Sequence, residues 1–382
     1  MTNRNIYMTD ELQAIYDQTV DFVTKEVVPN GEQWEEAGKV PREVLHKMGG
    51  LGMLGLRVPE ELGGLGMGPL ASATFSEALG ASTFAGFDVT VLVHTDMASP
   101  HLINSGSDEQ LNRYMPGILS GELIVSIGVT EPDAGSDVAG IRSTAVKDGD
   151  GWRINGTKMF ITNAVYGDMT IVAARTNPEN KYGISMFLVE KGTEGFSVSK
   201  KLNKHGWLCS DTAELVLDDV WVPDSQLLGE EHRGFYATMQ NFQNERMVLV
   251  GMGVGAAQRA IDITLEYTQQ RPAFGKTLFD LGAIRQRMAM NQAKIDAARS
   301  SMYHAAWLGE QGEDNVKAMS GAKAFGAEVV NQVMYDCVQF HGGMGYMRES
   351  AVERMTRDAR ILPIGGGATE VMLEEVAKRS YV

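Results

Sequence analysis

The sequence predicts an α+β protein built from a helical domain, a β-domain and a second helical domain, in that order. Helical periodicity of the apolar residues dominates both ends of the chain. Between them, short β-rich segments recur at close intervals, separated by Gly, Pro and Asn, which is typical of an antiparallel β-barrel or sandwich. The length of 382 residues also exceeds one ordinary core. We therefore predict three domains, at residues 1–123, 124–230 and 231–382.

The first domain carries clear helix signals. Thr9 or Asp10 can cap a first helix, and Ser107 precedes a helix with acids in its first turn, where the helix dipole favours them. His94 and His101 are seven residues apart, but no Cys/His/Asp cluster accompanies them, so we expect structural histidines and no metal site. Three further helices are predicted between these ends, at Arg42–Met48, Ala71–Leu79 and Asp88–His94.

The middle domain begins near Leu123, where β-rich sequence replaces helical sequence. An Asn155-Gly156 pair within this region predicts a hairpin. No helices alternate with the strands, so a doubly wound fold is not supported. The predicted strands are Leu123–Val129, Lys158–Thr162, Thr170–Ala174, Ile184–Val189, Phe196–Val198 and Ala213–Val222.

The last domain returns to helix and stays helical to the end. Long helices are predicted over Ile284–Leu308 and Val316–Val338, and a final one over Thr369–Lys378. Two glycine-rich breaks, Gly342–Gly345 and Gly365–Gly367, interrupt this pattern.

Charge and cysteine usage exclude several classes of protein. The net charge of −15, with acids spread along the chain, disfavours nucleic acid as a partner. No run approaches 18 uninterrupted apolar residues, so no membrane span is predicted. Two cysteines give no disulfide framework, and the first residues lack the pattern of a signal or transit peptide. We expect a cytoplasmic protein.

The stretch Asn244–Ala257 allows two interpretations. Gly251-x-Gly253-x-x-Ala256 fits a dinucleotide-binding turn after a short strand. That interpretation requires a second parallel strand ending in an acid about 20 residues later, but the following residues continue as helix. We therefore favour one continuous helix with glycines at packing positions. Composition alone does not distinguish Glu245 from a solvated surface glutamate.

Five separated motifs resemble the acyl-CoA dehydrogenase family, in family order and nearly from end to end. They are Val129-Thr130-Glu131-Pro132-x-Ala134-Gly135-Ser136-Asp137-Val138, Met159-Phe160-Ile161-Thr162-Asn163, Arg271-x-x-Phe274-Gly275, Gln339-x-x-Gly342-Gly343 and Arg357-Asp358-Ala359-Arg360. Within the family, Asn244-Glu245-Arg246 and the segments around His205 and Tyr335 look most like the long-chain branch.

The resemblance implies tightly bound FAD and oxidation of an acyl-CoA thioester to the trans-2-enoyl-CoA. An α-proton leaves to a carboxylate base, and a hydride passes from the β-carbon to flavin N5. Electrons then pass to an electron-transferring flavoprotein, as in fatty-acid β-oxidation. The implied fold is an N-terminal helical domain, a middle β-domain and a C-terminal four-helix-bundle-like domain, in a homotetramer.

The resemblance also assigns the base. Most family members carry it just before the final Gly-Thr, which here corresponds to Gly366, and a glycine cannot abstract a proton. Long-chain and isovaleryl-type members carry it on another helix, immediately before an arginine, and that position is Glu245, followed by Arg246. The backbone amide of Gly366 would still bind the thioester carbonyl, together with the flavin ribityl 2′-OH, as an oxyanion hole.

Other matching positions imply the binding residues. Arg271 and Phe274 would reach the FAD of a neighbouring subunit, and Gly282 replaces a Gln that commonly touches FAD. The acyl-CoA contacts would come from Ser136, Gln243, Asn244, Arg246 and Gly367. The remaining FAD contacts would come from Ile127, Val129, Thr130, Gly135, Ser136, Phe160, Ile161, Thr162, Gln339, Gly342, Gly343, Ala368, Thr369 and Glu370.

Several alternatives stay open on the sequence. The acyl group could be branched or terpenoid-derived, because the base position is shared with isovaleryl-type members. An oxidase acting on the same fold is disfavoured by chain length and by the glutamate base. The glycine at position 366 also allows an inactive flavin-binding homologue.

Overall fold

The computed structural model describes residues 6–381, and it confirms a helical domain, a sheet and a second helical domain in that order. π-helical turns, Val23–Val27 and Val93–Ala98, extend the first and fifth helices. Helices in the first domain are α1 (Asp10–Phe22), α2 (Gly31–Ala37), α3 (Arg42–Gly50), α4 (Pro69–Leu79), α5 (Ala85–Leu92), α6 (Ser99–Ser105) and α7 (Asp108–Ser120).

Side-chain caps begin α1 and α7. The Thr9 hydroxyl accepts a hydrogen bond from Leu12 N at 3.2 Å, so Thr9, not Asp10, is the N-cap of α1. Ser107 accepts from Gln110 N, and the Gln110 side chain accepts from Ser107 N, which forms a reciprocal capping box. Both helix starts therefore follow from short polar side chains that satisfy free amides.

The strands form one main sheet in the order β6-β7-β3-β2-β4-β5-β8. The predicted antiparallel arrangement has two exceptions, because β1 lies parallel to β4 and β2 also meets β4 in a short parallel pairing. The chain leaves β1 and makes a loop and a hairpin before it returns alongside β1 as β4. The strands are β1 (Val125–Gly128), β2 (Thr144–Asp148), β3 (Gly151–Thr162), β4 (Met169–Arg175), β5 (Ile184–Glu190), β6 (Phe196–Lys201), β7 (Thr212–Pro223) and β8 (Leu227–Leu228).

The hairpin predicted at Asn155-Gly156 is also wrong. The turn lies between Asp148 and Gly151, and β3 continues through Gly156 with a shift in its pairing with β7. A Cβ at Gly156 would lie 2.1 Å from Ser143 Oγ. The glycine is therefore required by a close approach within an irregular strand, a use of glycine that shares its sequence signature with a turn.

The sheet curls around its own core. Trp152 of β3 and Phe187 of β5 have ring centroids 5.5 Å apart, although β2 and β4 separate these strands in the sheet. Both belong to one buried cluster with Ile154, Val172 and Val222. Curling brings the two halves of the sheet face to face, as in a barrel-like domain.

The last domain is organised around α8 (Gly234–Gln270), which is continuous over 37 residues. The helical interpretation of Asn244–Ala257 is confirmed. A Cβ at Gly251 would lie 2.0 Å from Ser76 Oγ, and one at Gly255 would lie 1.9 Å from the Glu77 carbonyl, so these glycines let α4 pack closely. The other helices are α9 (Gly282–Glu310), α10 (Val316–His341), α11 (Ala351–Ala359) and α12 (Thr369–Tyr381).

A short two-stranded hairpin, β9 (Pro272–Ala273) and β10 (Lys276–Thr277), joins α8 to α9. Within residues 6–381, α8 alone is long and apolar enough to cross a membrane, and 67% of its apolar window is buried in the protein. That burial is typical of the core helix of a globular domain.

Candidate active site

Glu245 lies about three turns into α8 and is held by a polar contact to the first domain. Asn241, one turn earlier, donates its side-chain amide to Glu245 Oε1 at 3.3 Å. The same nitrogen donates to the carbonyls of Asp96 and Met97, at 3.2 and 3.0 Å. These carbonyls belong to the π-helical turn Val93–Ala98, and π-turns are frequent at functional sites. Asn241 thus ties the carboxylate to the first domain.

Burial raises the pKa of Glu245 to about 8, because it disfavours the charged carboxylate. The Asn241 hydrogen bond and the charge of Arg246 act against that shift. The side chain keeps an intermediate exposure, so a ligand can still reach it. A general base is most effective when its pKa lies near the working pH. Glu245 therefore has the electrostatics of a proton acceptor.

The loop before α12 meets α8 one turn beyond Glu245. Gly366 has φ +62°, and a Cβ on it would lie 2.2 Å from Leu249 Cδ1. If the base lies on α8, a glycine at position 366 would leave room for a side chain that arrives from that helix. In the structure that room is filled by Leu249, four residues after Glu245. Gly366 therefore brings exposed backbone, not a side chain, next to this face of α8.

Arg246 is buried beside the same loop. Its Nη1 lies 3.3 Å from Gln243 Oε1, and its guanidinium stacks 5.7 Å from the centre of the Phe242 ring. A Cβ on Gly367 would lie 3.5 Å from Arg246 Nε. That Nε is buried, and no acceptor in the described chain takes its hydrogen bond. A buried donor without a partner is costly, so this position favours an acceptor supplied by a ligand.

The side chain of Asn244, the residue before Glu245, is already bonded within the protein. Its Nδ2 donates to the Asp96 carbonyl at 2.7 Å, and its Oδ1 accepts from Arg57 at 2.6 Å. Asn244 and Arg57 also line a cavity of about 450 Å³ between α6, α8 and the end of α9. The predicted substrate contact of Asn244 stays a prediction.

A buried lysine fixes the glycine loop from behind. Lys323 of α10 donates to the carbonyls of Leu362, Gly365 and Gly367, the last two at 2.8 Å each. Desolvation lowers the pKa of Lys323 to about 8, and the charge of Arg246 acts in the same direction. The sequence analysis missed both Lys323 and Asn241. The available signals were a lysine within an Ala/Gly-rich stretch of helix and an amide one turn before the proposed base.

A second buried lysine fixes the loop after β1. Lys158 Nζ lies 2.7 Å from Glu131 Oε1 and donates to the Val129 carbonyl at 3.2 Å. The Glu131 carboxylate also accepts from the amides of Arg142 and Ser143. Residues 129–136, which include Thr130, Gly135 and Ser136, are therefore anchored by a fully bonded ion pair. Gly135 and Ser136 themselves stay exposed.

The end of β3 presents an aromatic ring beside this loop. Met159 N donates to the Thr130 carbonyl at 2.8 Å, which joins strand and loop. Between Lys158 and Ile161 the pairing register shifts, and Phe160 has φ +64°. Its ring is 66% exposed, whereas Ile161 is buried in a small cluster. The ring is thus available to a ligand, next to Thr162.

A separate groove of about 730 Å³ lies at the other end of the helical domain. Arg271, Gln339, Gly342 and Gly343 all line it, together with Tyr267. Phe274 lies on the β9–β10 hairpin and is 91% exposed. Gly282 starts α9. Ala368 precedes α12, and Thr369 and Glu370 form its first turn, with Thr369 N bonded to the Pro363 carbonyl.

These two regions fit the parts of FAD. The exposed Phe160 ring and the exposed backbone around Gly135 suit a flat ring system, and Arg271 beside two glycines suits a pyrophosphate. The backbone around Ile127, Val129, Thr130 and Thr162 borders the first region. Within the described residues, no group of three or more His, Cys, Asp or Glu side chains could hold a metal ion.

Comparison with known proteins identifies related chains. Family models of the acyl-CoA dehydrogenase N-terminal, middle and C-terminal domains match residues 9–122, 126–220 and 232–381. The long-chain specific acyl-CoA dehydrogenase of Sus scrofa mitochondria is 41% identical over 94% of this chain and 83% of its own. A probable acyl-CoA dehydrogenase structure from Mycobacterium abscessus is 40% identical, with a TM-score of 0.95 over 98% of this chain and 99% of its own.

Two further matches bear on the cofactor and on electron transfer. A glutaryl-CoA dehydrogenase structure from Mycobacterium smegmatis, in complex with FADH2, is 28% identical, with a TM-score of 0.93 over 99% of this chain and 96% of its own. The caffeyl-CoA reductase-Etf complex subunit CarC of Acetobacterium woodii is 34% identical over 96% of this chain and 97% of its own.

Proposed function

The chain belongs to the acyl-CoA dehydrogenase family, whose members use FAD to dehydrogenate acyl-CoA thioesters, and we propose that it does so with Glu245 as the α-proton base. The observation that carries this proposal is a half-buried carboxylate with a raised pKa, one helical turn from the residue that the exposed glycine backbone faces. Gly366 faces Leu249, one turn of α8 beyond Glu245.

The proposed reaction requires both a base and a group that stabilises the enolate. The α-proton of a thioester is too weakly acidic for a carboxylate unless the developing enolate is stabilised. We propose that the Gly366 amide donates to the thioester oxygen as negative charge grows there, while Glu245 takes the proton. Desolvation by the bound acyl chain would make Glu245 more basic still. FAD, when bound, supplies the acceptor for the β-hydrogen.

The same geometry supports the substrate contacts. The unbonded Nε of Arg246 beside Gly367 is a donor that an acyl-CoA oxygen would satisfy. Gln243 would orient that guanidinium through the bond to its Nη1. Ser136, exposed at the end of the anchored loop, would meet the CoA part of the substrate.

We propose further that FAD is shared between subunits of a homotetramer and that an electron-transferring flavoprotein reoxidises it. The 66% exposed Phe160 and the 91% exposed Phe274 support a shared site, because large exposed rings indicate a ligand or partner. The similarity to the caffeyl-CoA reductase-Etf complex subunit CarC supports an electron-transferring flavoprotein as the electron acceptor. The working compartment would be the cytoplasm.

For the substrate we propose long straight acyl chains, as in fatty-acid β-oxidation, because the chain is 41% identical to a long-chain specific acyl-CoA dehydrogenase. Branched or terpenoid-type chains are the alternative. A panel of acyl-CoAs, mixed anaerobically with the FAD-loaded enzyme, separates these cases through the loss of oxidised flavin absorbance. The proposal predicts bleaching that is greatest with long straight chains.

Bleaching with short branched chains alone would contradict the long-chain assignment but not the enzyme class. No bleaching with any acyl-CoA, in protein that binds both FAD and acyl-CoA, would identify an inactive flavin-binding homologue. Glu245→Gln should retain FAD and bind acyl-CoA without bleaching. Normal bleaching in that variant would overturn the base assignment.

A further inference from the structure

Lys323 is buried and bonded in a way that ordinary ion pairing does not explain. Its side chain is on α10, with 1% of its surface exposed. Its three N–H donors are all used by three carbonyls of one short segment, those of Leu362, Gly365 and Gly367. Among residues 6–381 no carboxylate forms a salt bridge with it. The protein therefore keeps an uncompensated cation behind the glycine loop, which is unfavourable without a reason.

The hydrogen bond from Lys323 to the Gly365 carbonyl also fixes the direction of the Gly366 N–H. The carbonyl of Gly365 and the N–H of Gly366 belong to one planar trans peptide unit, so they point in opposite directions. Because Lys323 holds the carbonyl on the α10 side, the N–H points away from α10. The loop lies between α10 and α8, where Gly366 meets Leu249. No oxygen of the described chain accepts a hydrogen bond from Gly366 N.

The same bond changes the strength of that donor. A cation on a peptide carbonyl withdraws electron density through the amide, so the N–H of that peptide becomes a stronger donor. Hydrogen bonds in chains polarise one another, and the effect is largest where water is excluded. A positive charge one peptide unit from the thioester oxygen also favours negative charge on that oxygen.

We propose that Lys323 is a positioning residue that aims and polarises the Gly366 amide toward the thioester carbonyl. This inference rests on the proposed function and names a group that acts through the backbone. A lysine with only a structural role would hold the loop in place whether or not the substrate becomes an enolate. A lysine that polarises the Gly366 amide matters most as the enolate forms.

Lys323→Met tests the proposal, since methionine is similar in shape and lacks the charge and donors. A 3-thia-acyl-CoA serves as the probe, because sulfur replaces the β-carbon, so the α-proton can leave without hydride transfer. The bound enolate beside oxidised flavin gives a long-wavelength charge-transfer band. In FAD-loaded Lys323→Met at one fixed pH we expect a band at least tenfold weaker, and flavin reduction by acyl-CoA slower by about 10–100-fold.

Binding and folding give the controls. The dissociation constant of an unreactive acyl-CoA analogue should change less than threefold, because the uncharged carbonyl needs the polarised amide least. Ser320→Ala removes a buried hydroxyl from the same helix that has no partner in the described chain, and it should match wild type in both readouts. Equal loss of analogue binding and of the charge-transfer band would indicate that Lys323 has only a structural role, and it would overturn the proposal.

Failure of the inference and failure of the proposed function give different results. If wild type shows neither band nor bleaching, the proposed function is wrong. If wild type shows both and folded Lys323→Met matches it, only the role of Lys323 is wrong. If Lys323→Met does not fold, Lys323→Gln replaces it. If that also fails, a crystal structure of wild type with the bound probe decides, and a Gly366 N–H that points away from the thioester oxygen contradicts the proposal.

Discussion

Two buried lysines hold the two loops that border the candidate active site, and they do so differently. Lys158, in the sheet, pairs with Glu131, and the pair has no net charge. Lys323, in the helical domain, holds three carbonyls and pairs with no carboxylate in the described chain. Desolvation lowers the pKa of both lysines to about 8. Similar burial thus gives a neutral anchor in one place and a local positive charge in the other.

The difference indicates what each loop must do. The loop after β1 has to present a fixed backbone surface, and an ion pair with amides around it is sufficient. In the proposed mechanism the glycine loop faces a substrate on which negative charge develops, and there an uncompensated cation is useful. The polar environments of Glu131 and Gly366 differ accordingly, since the first is fully bonded and the second has a free amide.

The largest expected effect comes from breaking the ion pair between Lys158 and Glu131. Lys158→Met leaves the Glu131 carboxylate buried without its cation, so we expect a loss of about 3–5 kcal/mol in the free energy of unfolding. Denaturant unfolding of the apoprotein measures it. Lys323→Met leaves only neutral carbonyls and should lose less. In the matched control, Glu131→Gln added to Lys158→Met should restore part of the stability. Equal losses in the free energy of unfolding for Lys158→Met and Lys323→Met would contradict the difference proposed between the two lysines.

The second prediction moves the base to the glycine loop. Glu245→Gly with Gly366→Glu should be inactive, because a side chain at position 366 meets Leu249 Cδ1 at 2.2 Å and the backbone there has φ +62°. Adding Leu249→Ala should recover measurable flavin reduction by opening that space. Activity in the double variant without the Leu249 change would show that the Leu249 side chain or the loop moves aside.

The third prediction concerns pH. Glu245 must be ionised to act, so kcat/KM should rise about tenfold per pH unit at pH values below its pKa of about 8. Asn241→Ala removes a hydrogen bond that lowers this pKa, so the rising limb should move to higher pH. If the pH profile of that variant does not move while its FAD content is unchanged, Asn241 does not lower the pKa of Glu245.

The same pKa has a consequence for stability, and its sign can be worked out. The folded-state pKa of about 8 lies above the ordinary glutamate pKa of 4.5. Between these two pH values folded Glu245 therefore keeps a proton that the unfolded chain has lost. The apoprotein should therefore lose stability as pH rises from about 4.5 to 8. Glu245→Gln should flatten this slope in unfolding measurements across that range.

The smallest expected effect is at the sheet. Phe160→Ala removes an exposed ring, so we expect FAD to bind about 2–10-fold more weakly, from a stacking contribution of about 0.5–1.5 kcal/mol. Phe160→Trp should bind FAD as wild type does. Fluorescence titration of the apoprotein with FAD measures both. No loss in Phe160→Ala would mean that the ring does not face the cofactor.

The order of the three parts and the helical identity of Asn244–Ala257 could be predicted from the sequence, because periodicity is a local property. Gly251 and Gly255 pack against α4, as expected of glycines in a helix. Asn155-Gly156 shows the limit of local signals. A glycine in a turn and one in a distorted strand look alike until Ser143 is placed beside it.

The position of Glu245 next to the glycine loop was expected only through the resemblance to a family. Asn241 and Lys323 were missed because their roles depend on partners about 145 and 40 residues away, the carbonyls of Asp96 and Gly365. Likewise, the Leu249 side chain that fills the space at Gly366 follows from tertiary packing and not from either segment alone.

The most direct test of the account isolates proton abstraction from the rest of the reaction. Exchange of the α-hydrogens of bound 3-thia-acyl-CoA with D₂O requires a base but no hydride transfer, and mass spectrometry follows it. The account predicts rapid exchange in FAD-loaded wild type and exchange slower by about 10²–10⁴-fold in Glu245→Gln. Exchange at the wild-type rate in that variant, with FAD and the probe bound, would contradict Glu245 as the base.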